Sequence, residues 1–115
     1  MTKEEYFTAV DEEVFAGHLF LRSLTDIPTM LNLIEVLLNA NGITEYHASL
    51  ATVADTKEDF EAHLTAIDES EKIVIQAFAD AGFTFGAANV YDSIRFQTGK
   101  LALLYPKAVE FGLAE

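Results

Sequence analysis

The apolar residues near the start of the chain recur at steps of three and four positions, the spacing of one helical face. The row comprises Phe7, Val10, Val14, Gly17, Leu21 and Leu24, and Phe15 and Leu19 widen it. Thr2 and Glu5 precede the row with the Thr-x-x-Glu spacing of a capping box. The pattern predicts a helix over about 3–24. Gly17 costs about 1 kcal/mol relative to Ala in mid-helix, which indicates a close backbone crossing at this point.

A second apolar segment runs from Pro28 to Ala40 and contains polar residues only at Thr29, Asn32, Glu35 and Asn39. Proline is tolerated in the first turn of a helix, so a helix over 28–40 is predicted. Asn41-Gly42 is expected to end it, with Gly42 as a left-handed cap. A helix that is apolar around most of its girth must be covered on several sides. It is therefore expected to be either the central helix of the domain or the interface of a homodimer joined through helix 28–40.

The next segments differ in how clearly they predict structure. In 44–54, Tyr46, Leu50 and Val53 fit a helical face, although the segment could also open a strand. Thr56 to Asp59 resembles a capping box, and the stripe that follows it predicts helix as far as Gly82. This helix is either continuous or begins again at a second cap in 68–71, and 73–75 alone would favour a strand. That stripe comprises Phe60, Leu64, Ile67, Val74, Phe78 and Ala81.

The last third of the chain leaves the fold class open between two alternatives. Val90 and Ile94 suggest a short helix, but 94–97 and 101–105 around Thr98-Gly99 could pair as a hairpin. We expect an all-α fold, a compact bundle of about five helices. The alternative is an α+β fold with a C-terminal β-hairpin after residue 82.

Length and composition indicate a single globular domain over 1–115. Half of the 115 residues are hydrophobic, which is enough to form a core without disulfides. The chain has no cysteine, so thiol chemistry and zinc ribbons are excluded. The first residues lack the features of a signal peptide, and no apolar run approaches the length of a membrane span. We therefore expect a soluble, cytoplasmic protein.

The net charge of −12 arises from 19 acidic and only 7 basic residues. Residues 1–80 carry all of the excess charge, whereas the acids and bases of 81–115 balance. Nucleic-acid binding requires a basic surface, and an anionic membrane would repel this protein. Direct binding to nucleic acid or to a membrane is therefore not expected.

One stretch of the chain concentrates acids and is the predicted partner-binding surface. Its members are Asp55, Glu58, Asp59, Glu61, Asp68, Glu69 and Glu71. Such a surface would steer a basic protein partner towards the domain. The alternative interpretation is an ordinary solvated helix face with favourable charge at helix N-termini.

The aromatic C-terminal third supplies a second candidate site. Phe83, Phe85, Tyr91 and Tyr105 could line a pocket for a small molecule, although ordinary core packing also explains them. For catalysis, His47 and His63 would be the first acid–base candidates. Asp59 and His63 are four residues apart, a spacing typical of a helix-surface charge pair and insufficient alone for a metal. No cofactor, metal site or catalytic residue is predicted.

These observations favour a small acidic protein-binding module that occupies a basic partner, in the manner of an inhibitor, immunity or regulatory protein. The first alternative is a small-molecule-binding or catalytic domain that uses the aromatic third. A further alternative is a homo-oligomeric structural component.

Overall fold

The computed structural model describes residues 2–86, 90–96 and 99–115, and all regular structure within them is helical. The all-α prediction is confirmed. The helices are α1 (Lys3–Ser23), α2 (Ile27–Thr52), α3 (Lys57–Ala81), α4 (Val90–Arg95), a 3₁₀ helix (Gly99–Leu104) and α5 (Tyr105–Glu110).

Helix α1 begins at the predicted capping box. The Thr2 side chain accepts a hydrogen bond from the backbone of Glu5, and the Glu5 carboxylate accepts one from the backbone of Thr2. Only Tyr6 and Gly17 of this helix are buried. Phe15 and Leu19, predicted to widen the apolar face, are instead exposed to solvent.

Helix α2 is twice as long as predicted. Asp26 caps its first turn by accepting from the Thr29 backbone, and Pro28 lies in that turn. The predicted end at Gly42 is wrong, because the helix continues to Thr52. The turns beyond Gly42 bring Ala51 into the core, and this burial offsets the cost of a helical glycine.

Helix α3 matches its prediction closely. Thr56 caps it by accepting from the Asp59 backbone at 3.1 Å, and Phe60, Leu64 and Ile67 are fully buried. The helix ends at Gly82, whose φ of +111° is a left-handed conformation that favours glycine.

The alternative C-terminal hairpin is wrong for the described residues, since 94–95 and 101–105 are helical and Phe96 is in a turn. Gln97 of the first proposed strand and Thr98 of the proposed turn lie outside the described residues. These segments form helices rather than strands because helical spacing places one side of each short helix in the same core. The buried residues are Val90, Ile94, Leu101, Leu104 and Ala108.

The core lies towards one end of an elongated molecule. It joins the last turns of α2, the first half of α3 and the C-terminal helices, and Phe60 packs on Phe111 there. The dimensions are 47 × 28 × 17 Å, and the radius of gyration is 15.1 Å. A compact domain of this length has a radius of gyration of about 13 Å. The molecule is therefore flatter and longer than a compact bundle.

Helix α1 joins the rest of the molecule mainly through large side chains. Tyr6 packs on Phe96 with ring centroids 4.8 Å apart, and its hydroxyl lies 3.0 Å from Ser93 Oγ. Near the other end of α1, Phe20 packs on Phe78 and Phe83. Because these rings hold α1 at a distance, space remains between α1 and the α2–α3 pair.

Candidate functional site

An open apolar cavity of about 260 Å³ occupies the space between α1, α2 and α3. Each helix contributes apolar side chains, among them Val10, Leu37 and Val74, and Phe85 of the loop after α3 completes the lining. Two carboxylates, Glu13 and Glu71, are the only charged groups among the described lining residues. The cavity therefore combines an apolar interior with negative charge.

Glu71 is the chemically unusual residue of the cavity. Burial of its carboxyl group, and to a lesser extent the nearby charge of Asp68, raises its pKa from 4.5 to about 7. Among the described residues, none forms a hydrogen bond or an ion pair with this carboxylate. A carboxyl group in this setting exchanges its proton near neutral pH.

The second carboxylate is fixed by the loop. Glu13 accepts a hydrogen bond from the backbone of Gly86, which ties α1 to residues 83–86. Phe85 passes beside Gly17, where an added Cβ would lie 3.4 Å from the ring. The close contact predicted at Gly17 is present, but it is made by an aromatic side chain rather than by a crossing backbone.

The four aromatic residues predicted to line one pocket do not lie together. Phe85 lines the cavity, and Phe83 packs against it with ring centroids 4.8 Å apart. Tyr91 is exposed on α4, and the Tyr105 hydroxyl donates to the backbone carbonyl of Glu115. Sequence spacing could not show that Phe83 and Phe85 lie apart from Tyr91 and Tyr105. The two phenylalanines follow the C-terminal end of α3, whereas the described C-terminal helices pack against its N-terminal half.

The seven acids of the predicted partner-binding surface are also divided by the structure. Asp55, Glu58 and Glu69 are exposed. Three others have partners four residues away: Glu61 with Lys57, Asp68 with Lys72, and Asp59 with His63. The seventh, Glu71, faces the cavity. The stretch therefore does not form one uniform acidic face.

Glu71 is the site residue that sequence reasoning placed wrongly, on the surface, although a signal was available. It lies seven residues after Leu64, four after Ile67 and seven before Phe78, so it continues the buried stripe of α3. An acid in register with an apolar stripe indicates a buried carboxyl group.

The two predicted acid–base candidates meet between α2 and α3. The Nδ1 atoms of His47 and His63 lie 2.9 Å apart, and His63 Nε2 lies 3.6 Å from Asp59 Oδ1. Within the described ranges, no group of three or more potential ligands is arranged to hold a metal ion. The arrangement joins two helices, and no cleft among the described cavities opens onto it.

The outer face of α2, together with its C-terminal cap residue Val53, carries a row of exposed large apolar side chains, defined by Ile27, Leu31, Leu38, Tyr46, Leu50 and Val53. Their exposed fractions range from 36% to 71%. On the helix these residues lie away from the buried Leu33 and Ala51. Within the described part of the chain, α2 packs on α3 and the 3₁₀ helix but keeps this row exposed, so it is not a fully enclosed central helix.

In comparisons with known proteins, no family model, curated protein or solved structure matches this chain. None of the helices in the described residues has the length and apolarity needed to traverse a bilayer.

Proposed function

We propose that the protein is a binding module that acts as a homodimer, with two copies joined through the outer face of α2. The observation that carries the proposal is the row of six exposed apolar side chains along that face. Single exposed apolar residues are ordinary on protein surfaces, but several of them along one side of a helix are typical of an interaction site.

The shape of the molecule supports a second copy as the occupant. Its shortest dimension of 17 Å corresponds to about two layers of helices. Helix α2 packs against α3 and, near its C-terminal end, against the 3₁₀ helix, whereas the six side chains of the row stay exposed among the described residues. In a two-fold symmetric dimer the row of each copy would pack against the row of the other, so both apolar faces would be buried in one interface.

The charge distribution also favours α2 as the contact. The chain carries −12, but residues 27–52 contain only Glu35 and Glu45 as charged groups and no Lys or Arg. Both carboxylates are exposed on the same side of the helix as the row, so joining two copies through α2 brings two carboxylates of each copy to the contact and keeps the other acids away from it. Any other helix of comparable length, α1 or α3, would bring several acids together.

A matched pair of substitutions tests the interface. Leu38→Glu places a charge in the row on α2, and Ile73→Glu places one on α3 at a residue of similar exposure, 61% against 66%. We expect Leu38→Glu to weaken self-association by at least about tenfold, since a buried unpaired charge is costly. Ile73→Glu should leave it unchanged. Light scattering over a concentration series measures both, and circular dichroism checks that the helices persist.

Equal weakening by both variants would show that added charge alone opposes association, and would overturn the α2 interface. So would a Leu38→Glu protein that associates like the wild type. Because both side chains are exposed in one copy, neither substitution disturbs the core.

A basic protein partner remains the second candidate function. The exposed carboxylates of Asp55, Glu58 and Glu69 and the net charge of −12 support it. Charge of this kind accelerates association with a basic surface and loses its effect in high salt. The cytoplasm stays the expected compartment for either function.

A further inference from the structure

The cavity between α1, α2 and α3 has a composition that selects its ligand. Apolar side chains such as Val10, Leu37 and Phe85 form most of the lining, and the two carboxylates supply its charge. We propose that this cavity is a binding site for a small apolar organic cation, whose ammonium group pairs with the Glu71 carboxylate. The site lies apart from the outer face of α2, so the proposal goes beyond self-association.

The charge of the ligand follows from the groups that face Glu71. From α1 these are Glu13 and the Tyr6 hydroxyl. From α3 there is Asp68, which forms an ion pair with Lys72, with 3.1 Å between Asp68 Oδ2 and Lys72 Nζ. The lining residues of α2 and of the loop carry no charge. No described lining residue is a cation, so an anionic ligand would meet only repulsion.

The state of Glu71 favours a cation over a neutral molecule. Its carboxylate lacks a partner among the described residues, and burial raises its pKa to about 7. An ammonium group would supply the missing charge-assisted hydrogen bond. Glu13 is held by Gly86, so Glu71 is the carboxylate that the ligand would engage.

The size of the ligand follows from the volume. An apolar cavity of about 150 Å³ accommodates benzene, and the present cavity measures about 260 Å³. At the same volume per atom, a straight amine of about ten non-hydrogen atoms would occupy it with its chain in the apolar part. Because the cavity is open on one side, a ligand can enter without unfolding α1.

Octylamine, 1-octanol and octanoate form a matched set of probes with one chain length and three head groups. Isothermal titration of the full chain near neutral pH should show octylamine binding at least about tenfold more tightly than 1-octanol, and no binding of octanoate. Octylamine should also displace the proton of Glu71, about half a proton per site at pH 7 given the pKa of about 7. The binding heat should therefore vary with the ionisation enthalpy of the buffer.

Three variants locate the site. Glu71→Gln should weaken octylamine binding at least about tenfold and abolish the buffer dependence. Glu69→Gln, an equal change of net charge at an exposed neighbour, should bind octylamine like the wild type. Ala40→Leu should weaken octylamine and 1-octanol alike, because the larger side chain fills the cavity.

Three results would overturn the proposal. Equal affinity for octylamine and 1-octanol, with no loss in Glu71→Gln, would mean that the cavity takes apolar molecules without regard to charge. Equal losses in Glu69→Gln and Glu71→Gln would mean that the amine binds the acidic surface. Failure to bind any probe would show that the cavity is not a ligand site.

Discussion

At the scale of single residues, Glu71 shows how one position in a helical stripe changes the properties of a site. It stands where α3 would otherwise place another apolar side chain, so its carboxyl group is partly desolvated. The raised pKa has a definite consequence for stability. The native state binds more protons than the unfolded state between about pH 4.5 and pH 7. The contribution of Glu71 to stability is therefore fully present below pH 4.5 and is lost as pH rises through about 7.

We expect Glu71→Gln to remove this pH dependence, because glutamine resembles the neutral carboxyl group at every pH. Above pH 7 the variant should be more stable than the wild type by about 1–2 kcal/mol, a value reduced for solvent screening at a partly exposed group. Below pH 4.5 the two should be alike. Urea unfolding at pH 5 and pH 8 measures the difference, and Glu69→Gln is the control. If Glu69→Gln stabilised the protein as much at pH 8, general charge repulsion rather than burial of Glu71 would be responsible.

At the scale of helices, local signals predicted most starts and stops, and tertiary burial decided the remainder. Thr2, Thr56 and Gly82 act as the sequence indicates, because a cap depends on a few neighbouring residues. Gly42 does not end α2, because the packing of Ala51 far along the chain outweighs a local preference. The cavity was not predictable in the same way, since it exists only because aromatic rings hold α1 away from α3.

A pair of glycine substitutions tests the continuity of α2. Gly42 lies inside the helix without an unusual φ, and nothing stands within 4 Å of an added Cβ. We expect Gly42→Ala to stabilise the protein by about 0.5–1 kcal/mol. Gly82→Ala should destabilise it, because a φ of +111° is strained for alanine. Because Gly42 lies between Leu38 and Tyr46 in the row, thermal unfolding compares the two variants in the Leu38→Glu background, which removes the proposed contact between copies. Destabilisation by Gly42→Ala in that background would contradict an uninterrupted α2.

At the scale of the whole molecule, the unusual feature is an acidic, flat domain that leaves a long apolar helix face uncovered. The core at one end and the aromatic contacts of α1 hold the helices together. They do not cover the outer face of α2. The sequence indicated that part of this helix would need a cover, since helix 28–40 is apolar around most of its girth. It could not decide between a central helix and an interface, because that choice depends on how many elements pack around α2.

The effect of salt on affinity distinguishes self-association through α2 from binding of a basic partner. Two chains of net charge −12 repel one another, so screening should strengthen a contact made through apolar side chains. Binding of a basic partner depends on attraction, and screening should weaken it. The direction of the salt effect thus identifies which surface is in use.

The most direct measurement is sedimentation equilibrium of the wild-type protein at low and high salt, about 0.05 M and about 0.5 M. A homodimer joined through α2 predicts a species of twice the 12.7 kDa chain mass, with tighter association at high salt. A mass of 12.7 kDa at both salt concentrations, across the accessible range of protein concentration, would contradict it.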